Sequence, residues 1–503
     1  MPRKKKNTEL VADIKVKEPI SLGMPKIDPR LQARYDAALT SITNENHWSN
    51  ADNLSPNQAN NKMVRTKLVS RARYEIENNC ILTGIVDAAA EAIVGTGCRL
   101  HVNTGNEKLD DEIPKIWADW QEATGLAEKV RLAQAAEIGD GESFPQFITN
   151  PRLTDVEVQL DVMLTETERV TSSFESLNQT DFDSINYVDG IRFDNIGNPI
   201  SYHVLKSHPS EFGTFKANSG VEVSWENMCH LYRMRRIGQK RGVPQVTPAL
   251  PLIALLRRYT LAVLETAETA ANFSGVVRST GTPEDGVAAV VPMETIELAK
   301  RMLLTLPEGW DISQLKAEQP TTQYGAFKNE IINEVARCIL VPRNLATGDS
   351  SNYNYASGRL DGQQMEKAIE VRRSQLESKF YNRLIKYFLD ELQVTRPRLR
   401  SARKTMTIDL FWDGEFHVDP QKEAKGQEQR LLNKTTTLKR EFAKQGLDYR
   451  KEIAQQGIER KLLEKAGLSI GDIAEKNKQK EDSVVKSSKT ETKKSTKSNK
   501  KVK

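Results

Sequence analysis

The chain has 503 residues, of which 38% are hydrophobic and 28% are charged. Its mean hydropathy of −0.56 is low for a compact protein of this length, which favours polar tails or an elongated subunit that neighbours help to bury. The length suits two or three packed units. We see no run of about 18 apolar residues, so we predict no membrane span. The basic start of the chain lacks the apolar stretch of a secretory signal.

The positive charge is concentrated at the two ends of the chain. The formal net charge is +5; residues 3–6 contribute +4 and residues 476–503 contribute +8, which leaves −7 for residues 7–475. A protein that grips DNA usually carries its positive charge on the folded domain. The acidic body therefore favours a surface along which DNA can slide, or no contact with nucleic acid.

The first part of the chain is predicted to be a flexible arm followed by helices. Residues 1–60 lack sustained periodicity, apart from one short helix near residues 31–42. A helical pattern begins at Val64 and continues through Ile93, until Gly95-Thr96-Gly97 ends it. Two further helices are predicted at residues 110–122 and 126–138.

The middle of the chain changes to short strands, which makes it an α+β module. A hairpin is predicted because two strands flank the turn residues 195–199. The predicted strands are residues 156–164, 191–193, 200–204, 221–225 and 229–232.

The second half is mainly helical. A long helix at residues 248–272 is apolar on more than one face, so it must be buried on several sides, within the subunit or against neighbours. The residues assigned to its packing are Leu252, Leu255, Leu256, Tyr259 and Val263. Residues 275–325 are mixed. The remaining predictions are a helix at 324–338, a polar loop at 341–356, a helix at 358–392, two strands around Asp413-Gly414 within 407–418, helices from Pro420 to about 468, and a disordered tail from 476.

No catalytic signature is found. Gly95-Thr96-Gly97 lacks the last glycine of a dinucleotide fingerprint and ends a helix instead of opening one. Phosphate-loop, HExxH and GxSxG motifs are absent. The histidines are scattered and the four cysteines form no CxxC pair, so we predict no metal, no cofactor and reduced thiols. Glu142, in a glycine-rich turn, is interpreted as a hydrogen-bonded structural group, and Trp117 and Trp120 as core residues.

The polar loop is the main candidate for function. One interpretation is a solvated loop that leads into a helix. The other is a loop that lines a DNA channel, since Asn, Ser and Tyr can touch phosphates without the strong positive charge that would stall a moving duplex. The candidate channel residues are Ser350, Ser351, Asn352, Tyr353 and Asn354. The lysines of the tail could bind nucleic acid weakly, although keeping the chain soluble is the commoner role of such tails.

An ordered series of motifs over residues 64–468 resembles the lambda-type family of bacteriophage portal proteins. Each motif is weak alone, but their order is specific, and only the two tails fall outside the match. Tyr355 and Ala356 depart from the family's loop pattern. The motifs are Arg71-Ala72-Arg73-Tyr74, Asn78-Asn79, Val94-Gly95-Thr96-Gly97, Trp117-Ala118-Asp119-Trp120, Gly141-Glu142-Ser143-Phe144, Gly190-Ile191-Arg192-Phe193-Asp194, His230-Leu231-Tyr232, Gln239-Lys240-Arg241-Gly242-Val243-Pro244, Asn352-Tyr353-Asn354-Tyr355-Ala356-Ser357-Gly358-Arg359, Trp412, Val418-Asp419-Pro420 and Lys422-Glu423.

The resemblance implies a structural subunit of a twelve-membered ring at the portal vertex of a tailed-phage virion. Double-stranded DNA would pass through its centre during packaging and ejection. Its partners would be further copies of itself, the terminase large subunit, the major capsid protein and the neck or tail proteins, with assembly in the host cytoplasm. The implied parts are a flexible arm (1–60), an α+β wing (61–247), a stem helix (248–274), a clip (275–322), the tunnel loop and long wing helix (323–400), a helical crown (401–475) and a lysine-rich tail (476–503).

Two other classes stay open on the sequence. A different head–tail connector or adaptor ring would share the structural role, although such chains are usually shorter. A DNA-acting enzyme such as a nuclease would need carboxylates at metal-ligand spacing, and we find none. We therefore predict a structural protein and no enzyme.

Overall fold

The computed structural model describes residues 45–172, 186–211, 220–272, 276–279, 310–313, 323–351, 354–414 and 420–467. The chain divides into two compact units, residues 1–55 and 56–503. In the first unit the described element is a short 3-10 helix, Glu45–Trp48. The short helix predicted near 31–42 and the lysine-rich tail lie outside the described residues. Residues 56–60, which we predicted as part of the arm, belong to the second unit.

Five helices and the strand β1 open the second unit. The pattern that predicted one helix from Val64 to Ile93 is divided at Asn79, whose backbone is extended and whose side chain accepts a hydrogen bond from the Ile81 N–H. Gly95, with φ +58°, ends the second of the two helices as predicted. The elements are α1 (Pro56–Ala59), α2 (Lys62–Asn78), α3 (Cys80–Val94), β1 (Arg99–Asn103), α4 (Glu107–Thr124) and α5 (Leu126–Gly139).

The strands form small antiparallel sheets. β2 (Glu142–Thr149) lies between β3 (Leu160–Thr165) and β8 (Leu231–Tyr232). The predicted hairpin is confirmed as β5 and β6, inside a four-stranded sheet of order β4-β5-β6-β7. A separate pair is formed by β9 and β10. The remaining bounds are β4 (Tyr187–Val188), β5 (Ile191–Phe193), β6 (Pro199–Leu205), β7 (Gly220–Ser224), β9 (Val276–Ser279) and β10 (Trp310–Ser313).

Three strand predictions need correction. β2 was missed, because Gly141 and Glu142 suggested a turn. The strand predicted at 156–164 begins only at Leu160. β11 (Thr407–Phe411) was predicted to pair with the residues that follow it, but it pairs with β1, about 300 residues earlier in the chain. The second arm of that predicted hairpin, residues 415–418, lies outside the described residues.

The later helices follow the prediction closely. The long helix predicted at 358–392 consists of α9 (Tyr355–Leu376), a π-helical turn (Glu377–Tyr381) and α10 (Asn382–Thr395). A short helix, α8, lies within the segment predicted as a loop. The others are α6 (Leu250–Asn272), α7 (Tyr324–Arg337), α8 (Arg343–Thr347), α11 (Pro397–Ala402), α12 (Pro420–Leu432), α13 (Leu438–Lys444) and α14 (Tyr449–Lys465).

The largest core cluster joins α4, α10 and the β2–β3 sheet. Trp117 and Trp120 are buried as predicted, with ring centroids 5.1 Å and 5.2 Å from that of Phe388. A second cluster packs α3 and α6 against α7. With helices on small antiparallel sheets, the fold class is α+β, as predicted. All four cysteines are free thiols.

Candidate channel loop and subunit-contact helix

The polar loop between α8 and α9 is held by its own short hydrogen bonds. Gly348, with φ +66°, ends α8 in the left-handed conformation that glycine adopts at low cost. Asn354 caps α9 reciprocally with Ser357: the Asn354 side chain accepts from the Ser357 N–H at 2.8 Å, and the Asn354 N–H donates to the Ser357 hydroxyl. Local bonds therefore fix both ends of the loop.

The loop presents polar groups and one negative charge. Ser350, Ser351 and Asn354 are exposed, while Asn352 and Tyr353 lie outside the described residues. Asp349 is the charged residue between 348 and 354. The hydroxyl and the N–H of Ser351 hold the pKa of Asp349 below its ordinary value, so it is ionised at neutral pH. Residues 348–354 contain no lysine or arginine that could hold a phosphate.

The helix α6 packs one face into its own subunit. Leu256 and Val263, two of the predicted packing residues, are buried, as are Leu250 and Ile253. Leu252 is half-buried against the same cluster. This inner face packs against α7 and α2.

The rest of α6 leaves large apolar side chains exposed on two sides. On one side of the helix lies Leu255, which is 59% exposed. It is next to Tyr259, whose ring contacts Tyr324 and Phe327 of α7. Leu264, 61% exposed, lies nine residues further on, which places it about 180° away around the helix axis. Two opposite apolar flanks on one helix are typical of contact with two neighbours.

By length and composition alone, residues Thr247–Thr269 could span a membrane. From the sequence we predicted no membrane span. A core helix of a soluble protein passes the same test, so the finding is weak evidence. Arg257 and Arg258 lie in the middle of this stretch, and Arg257 donates to the Glu75 carboxylate at 2.9 Å.

A buried ionic cluster, which the sequence did not predict, joins distant segments of the chain. Glu142 is fully buried on β2. Its carboxylate accepts from Arg241 Nη2 at 2.7 Å, from His230 Nε2 at 2.9 Å and from the Gly242 N–H at 2.8 Å. Burial by itself would raise the pKa of Glu142, but the Arg241 charge and the His230 hydrogen bond hold it well below its ordinary value.

Helix α2 extends this cluster through two arginines. Arg65 contacts Asp189 and lies within 3.8 Å of Glu142, and its burial lowers its pKa to about 10. Arg73 binds Asp140 through both Nε and Nη2, at 2.8 Å and 2.7 Å. The motifs around Arg73, Glu142, His230 and Arg241, far apart in sequence, thus meet at one junction.

The junction has no room for larger residues in two places. A Cβ on Gly141 would lie 2.3 Å from the Val243 carbonyl carbon, and a Cβ on Gly242 would lie 2.1 Å from the Gly141 oxygen. Both oxygens of Glu142 are already occupied by protein donors. The interpretation of Glu142 as a hydrogen-bonded structural group is confirmed.

One group of side chains has metal-ligand spacing among the described residues. Ligand atoms of Glu166, Glu168 and His208 lie within 4.8 Å of one another. Arg73, however, binds Glu168 Oε1 at 2.9 Å and Oε2 at 3.0 Å. Because a guanidinium already fills both oxygens of one ligand, we assign no metal to this group.

The buried histidine of the junction predicts a pH effect on stability. Burial lowers the pKa of His230 below its ordinary value of 6.5, although Glu142 counteracts this. The unfolded chain therefore takes up a proton near that pH which the folded chain does not, so the free energy of unfolding falls as the pH falls. We expect this fall, measured by urea unfolding between roughly pH 7.5 and 5.5, to be less steep in His230→Gln. His203→Gln is the control, and equal slopes in wild type and His230→Gln would contradict the assignment.

The exposed polar loop and the two exposed apolar flanks of α6 are candidate surfaces for contacts with other macromolecules. Residues 43–373, roughly two thirds of the chain, match the family described as "Phage portal protein, lambda family". The chain belongs to this family.

Two solved structures resemble the chain at low sequence identity. A chain of the "Neck of native GTA particle computed with C12 symmetry" is 13% identical, with a TM-score of 0.44, and the match covers 76% of this chain and 93% of that one. A chain of the "Virion of native gene transfer agent (GTA) particle" is 14% identical, with a TM-score of 0.40 and the same coverages of 76% and 93%. No curated protein matches the chain closely enough to count as a relative.

Proposed function

We propose that this protein forms the closed portal ring of a tailed-phage virion, a ring of twelve copies through which double-stranded DNA enters and leaves the head. In this proposal the ring docks the terminase large subunit on one side, binds the capsid and the neck or tail, and assembles in the host cytoplasm. Family membership supports the portal role. We further propose that residues 248–274 are the stem, 275–322 the clip, 61–247 the wing and 401–475 the crown.

The observation that carries the proposal is the exposure of α6 on two opposite flanks. A two-fold dimer buries one surface patch twice, whereas a head-to-tail ring buries two different patches on each subunit. Leu255 with Tyr259 supplies one patch, and Leu261 with Leu264 supplies the other. One subunit leaves all four side chains at least partly uncovered, which suits a helix that needs a neighbour on each side.

The ring is tested by measuring the mass of the purified protein. Multi-angle light scattering, at several concentrations and in low and high salt, should give one large assembly, and negative-stain images should show a central hole. A monomer under every condition would overturn the proposal. A nuclease would not need to form a ring, so the same measurement separates the structural role from an enzymatic one.

We propose that the loop 348–354 faces the moving DNA. Lysine at Ser350, Ser351 and Asn352 should retard DNA, because each added phosphate contact strengthens binding in a salt-dependent way. Exposed loop substitutions change stability by only about ±0.5 kcal/mol, so the rings should form normally. The expected result is intact rings by microscopy with less packaged DNA by nuclease protection.

Alanine at the same three positions is the matched control, since it removes the polar groups without adding charge. It should package close to the wild-type level. Normal packaging by the triple-lysine variant would place the loop outside the channel, and failed assembly would indicate a contact between subunits instead.

A further inference from the structure

Arg233, Arg235 and Arg372 form a cluster of three arginines, and two of them bind Gln245 in the loop that precedes α6. Arg235 donates to the Gln245 backbone oxygen at 3.2 Å, and Arg372 of α9 donates to its side-chain oxygen at 2.6 Å. Arg233 lines the same cavity as Arg372. The acid bound within this cluster is Glu137, which Arg372 contacts at 2.7 Å. Three positive charges thus face one negative charge, on a body that is acidic overall.

Arg233 is the unsatisfied member of the cluster. Among the described residues its guanidinium has no hydrogen bond and no ion pair, although it is half-buried. Burial lowers the pKa of Arg233, and the charges of Arg372 and Arg235 lower it further, while the charge of Glu137 counteracts this only in part. A half-buried cation beside other cations is costly without an anionic partner. The geometry indicates that an anion from outside the subunit completes this surface.

The walls beside Arg233 are apolar. The cavity holds about 260 Å³. At the tip of the neighbouring loop, Met234 is 57% exposed and Ile237 is 98% exposed. Duplex DNA offers phosphates but nothing to cover such side chains, so a protein surface fits better. The apolar residues that line the cavity are Ala89, Ile93, Ile339, Leu340, Met365 and Ile369.

A complementary surface lies on the other side of α3. Ala89 and Ile93 face the cavity, while Asp87 and Glu91, on the same two turns, point about 180° away around the helix axis. Both acids are exposed, and neither carboxylate has a hydrogen bond or ion pair among the described residues. Like charges four residues apart destabilise a helix unless something compensates them. A Cβ added at Gly84, on the same exposed stripe, would meet nothing within 4 Å.

We propose that the surface around Arg233 of one copy binds Asp87 and Glu91 of the next copy in the ring. This inference rests on the proposed ring. Rotation about the ring axis leaves each residue at the same position along that axis in every copy. The two surfaces are separated by α3, which is about 10–12 Å in diameter. They therefore differ little in their position along the ring axis. Each subunit has one basic and one acidic surface, and the basic surface of one copy binds the acidic surface of the next, so the contact is head-to-tail. The charge pairing also fixes the position of each subunit relative to its neighbour.

Charge reversal tests the contact. Arg233→Glu and Glu91→Arg should each raise the protein concentration at which half of the chains are assembled, by about tenfold or more. The two substitutions in one chain restore an opposite-charge pair between positions 233 and 91 at every contact, although Asp87 is unchanged. The double variant should therefore assemble at a lower concentration than either single variant. Arg152→Glu, which makes the same charge change at an exposed site, should have no effect. Far-UV circular dichroism and thermal melting check that each variant folds.

Unchanged assembly in either single variant, or a double variant no better than the singles, overturns the inference. Normal rings with altered DNA retention in Arg233→Glu would likewise overturn it and assign the surface to DNA. Arg233→Gln should give a smaller change in the same direction and replaces the reversal if that prevents folding. If the wild-type protein forms no rings, the proposed ring is wrong. If the wild-type protein forms rings and the charge-reversal variants form them equally well, the ring stands and only the contact at Arg233 is wrong.

Discussion

Replacement of Glu142 by glutamine should lower the free energy of unfolding by about 3–5 kcal/mol, because removing one partner of a buried ion pair leaves the other charge uncompensated. Arg241, Arg65 and His230 all face this carboxylate, and Arg241 is only 1% exposed. Glutamine keeps the shape of the side chain, so the loss reports on charge and hydrogen bonding rather than on a cavity. Urea or thermal unfolding measures it.

Glu122→Gln is the matched control, because that side chain is exposed and should change stability by less than about 0.5 kcal/mol. Methionine at both Glu142 and Arg241 should recover part of the stability, since well-packed apolar residues often replace a buried ion pair without loss. A loss below about 1 kcal/mol in Glu142→Gln would show that the junction contributes little to the fold.

Glutamate at Leu255 or at Leu264 should abolish the ring while leaving the subunit folded. Both side chains are more than half exposed in the subunit, so the charge stays in solvent until a neighbour has to bury it. Light scattering should then show small species in place of the ring. Leu132→Glu, at a leucine on α5 that is 61% exposed, controls for the charge itself.

Mixing the two variants gives a sharper result. In a head-to-tail ring, Leu255→Glu keeps one intact flank and Leu264→Glu keeps the other, so an equal mixture should form heterodimers and nothing larger. A two-fold contact would use only one of the two flanks. The variant that keeps this flank intact would then form homodimers without the other variant. Homodimers of either single variant would contradict the head-to-tail arrangement.

Local periodicity was enough to predict most helices and the β5–β6 hairpin, because those elements are specified by residues close in sequence. The strand β2 was missed for a physical reason. Glu142 can lie in the core only because Arg241, 99 residues away, neutralises it, and periodicity carries no information about such a partner. The same holds for β11: Asp413 suggested a local turn but accepts from the Thr96 N–H at 2.6 Å and from Arg99 at 3.1 Å.

The candidate surfaces were predictable to different degrees. The apolar excess of α6 was evident from its sequence, yet only the structure separates buried Leu256 from exposed Leu255. Ser350 was predicted to be exposed because its segment is polar, and it is. The cluster of Arg233, Arg235 and Arg372 had no sequence signal, since Arg372 lies in a distant segment that only the fold brings beside the other two.

The π-helical turn at Glu377–Tyr381 determines how α9 is rotated about the helix axis relative to α10. A π turn holds one residue more than an α-helical turn, so a single-residue deletion there would restore α geometry and rotate α9 by about 100° relative to α10. Phe380 and Tyr381 are buried, so α10 would stay fixed in the core and α9 would turn instead. Arg372 would then lose Glu137, and the end of the polar loop would face another direction. Chain length at this turn therefore controls where the loop points, independently of which side chains it carries.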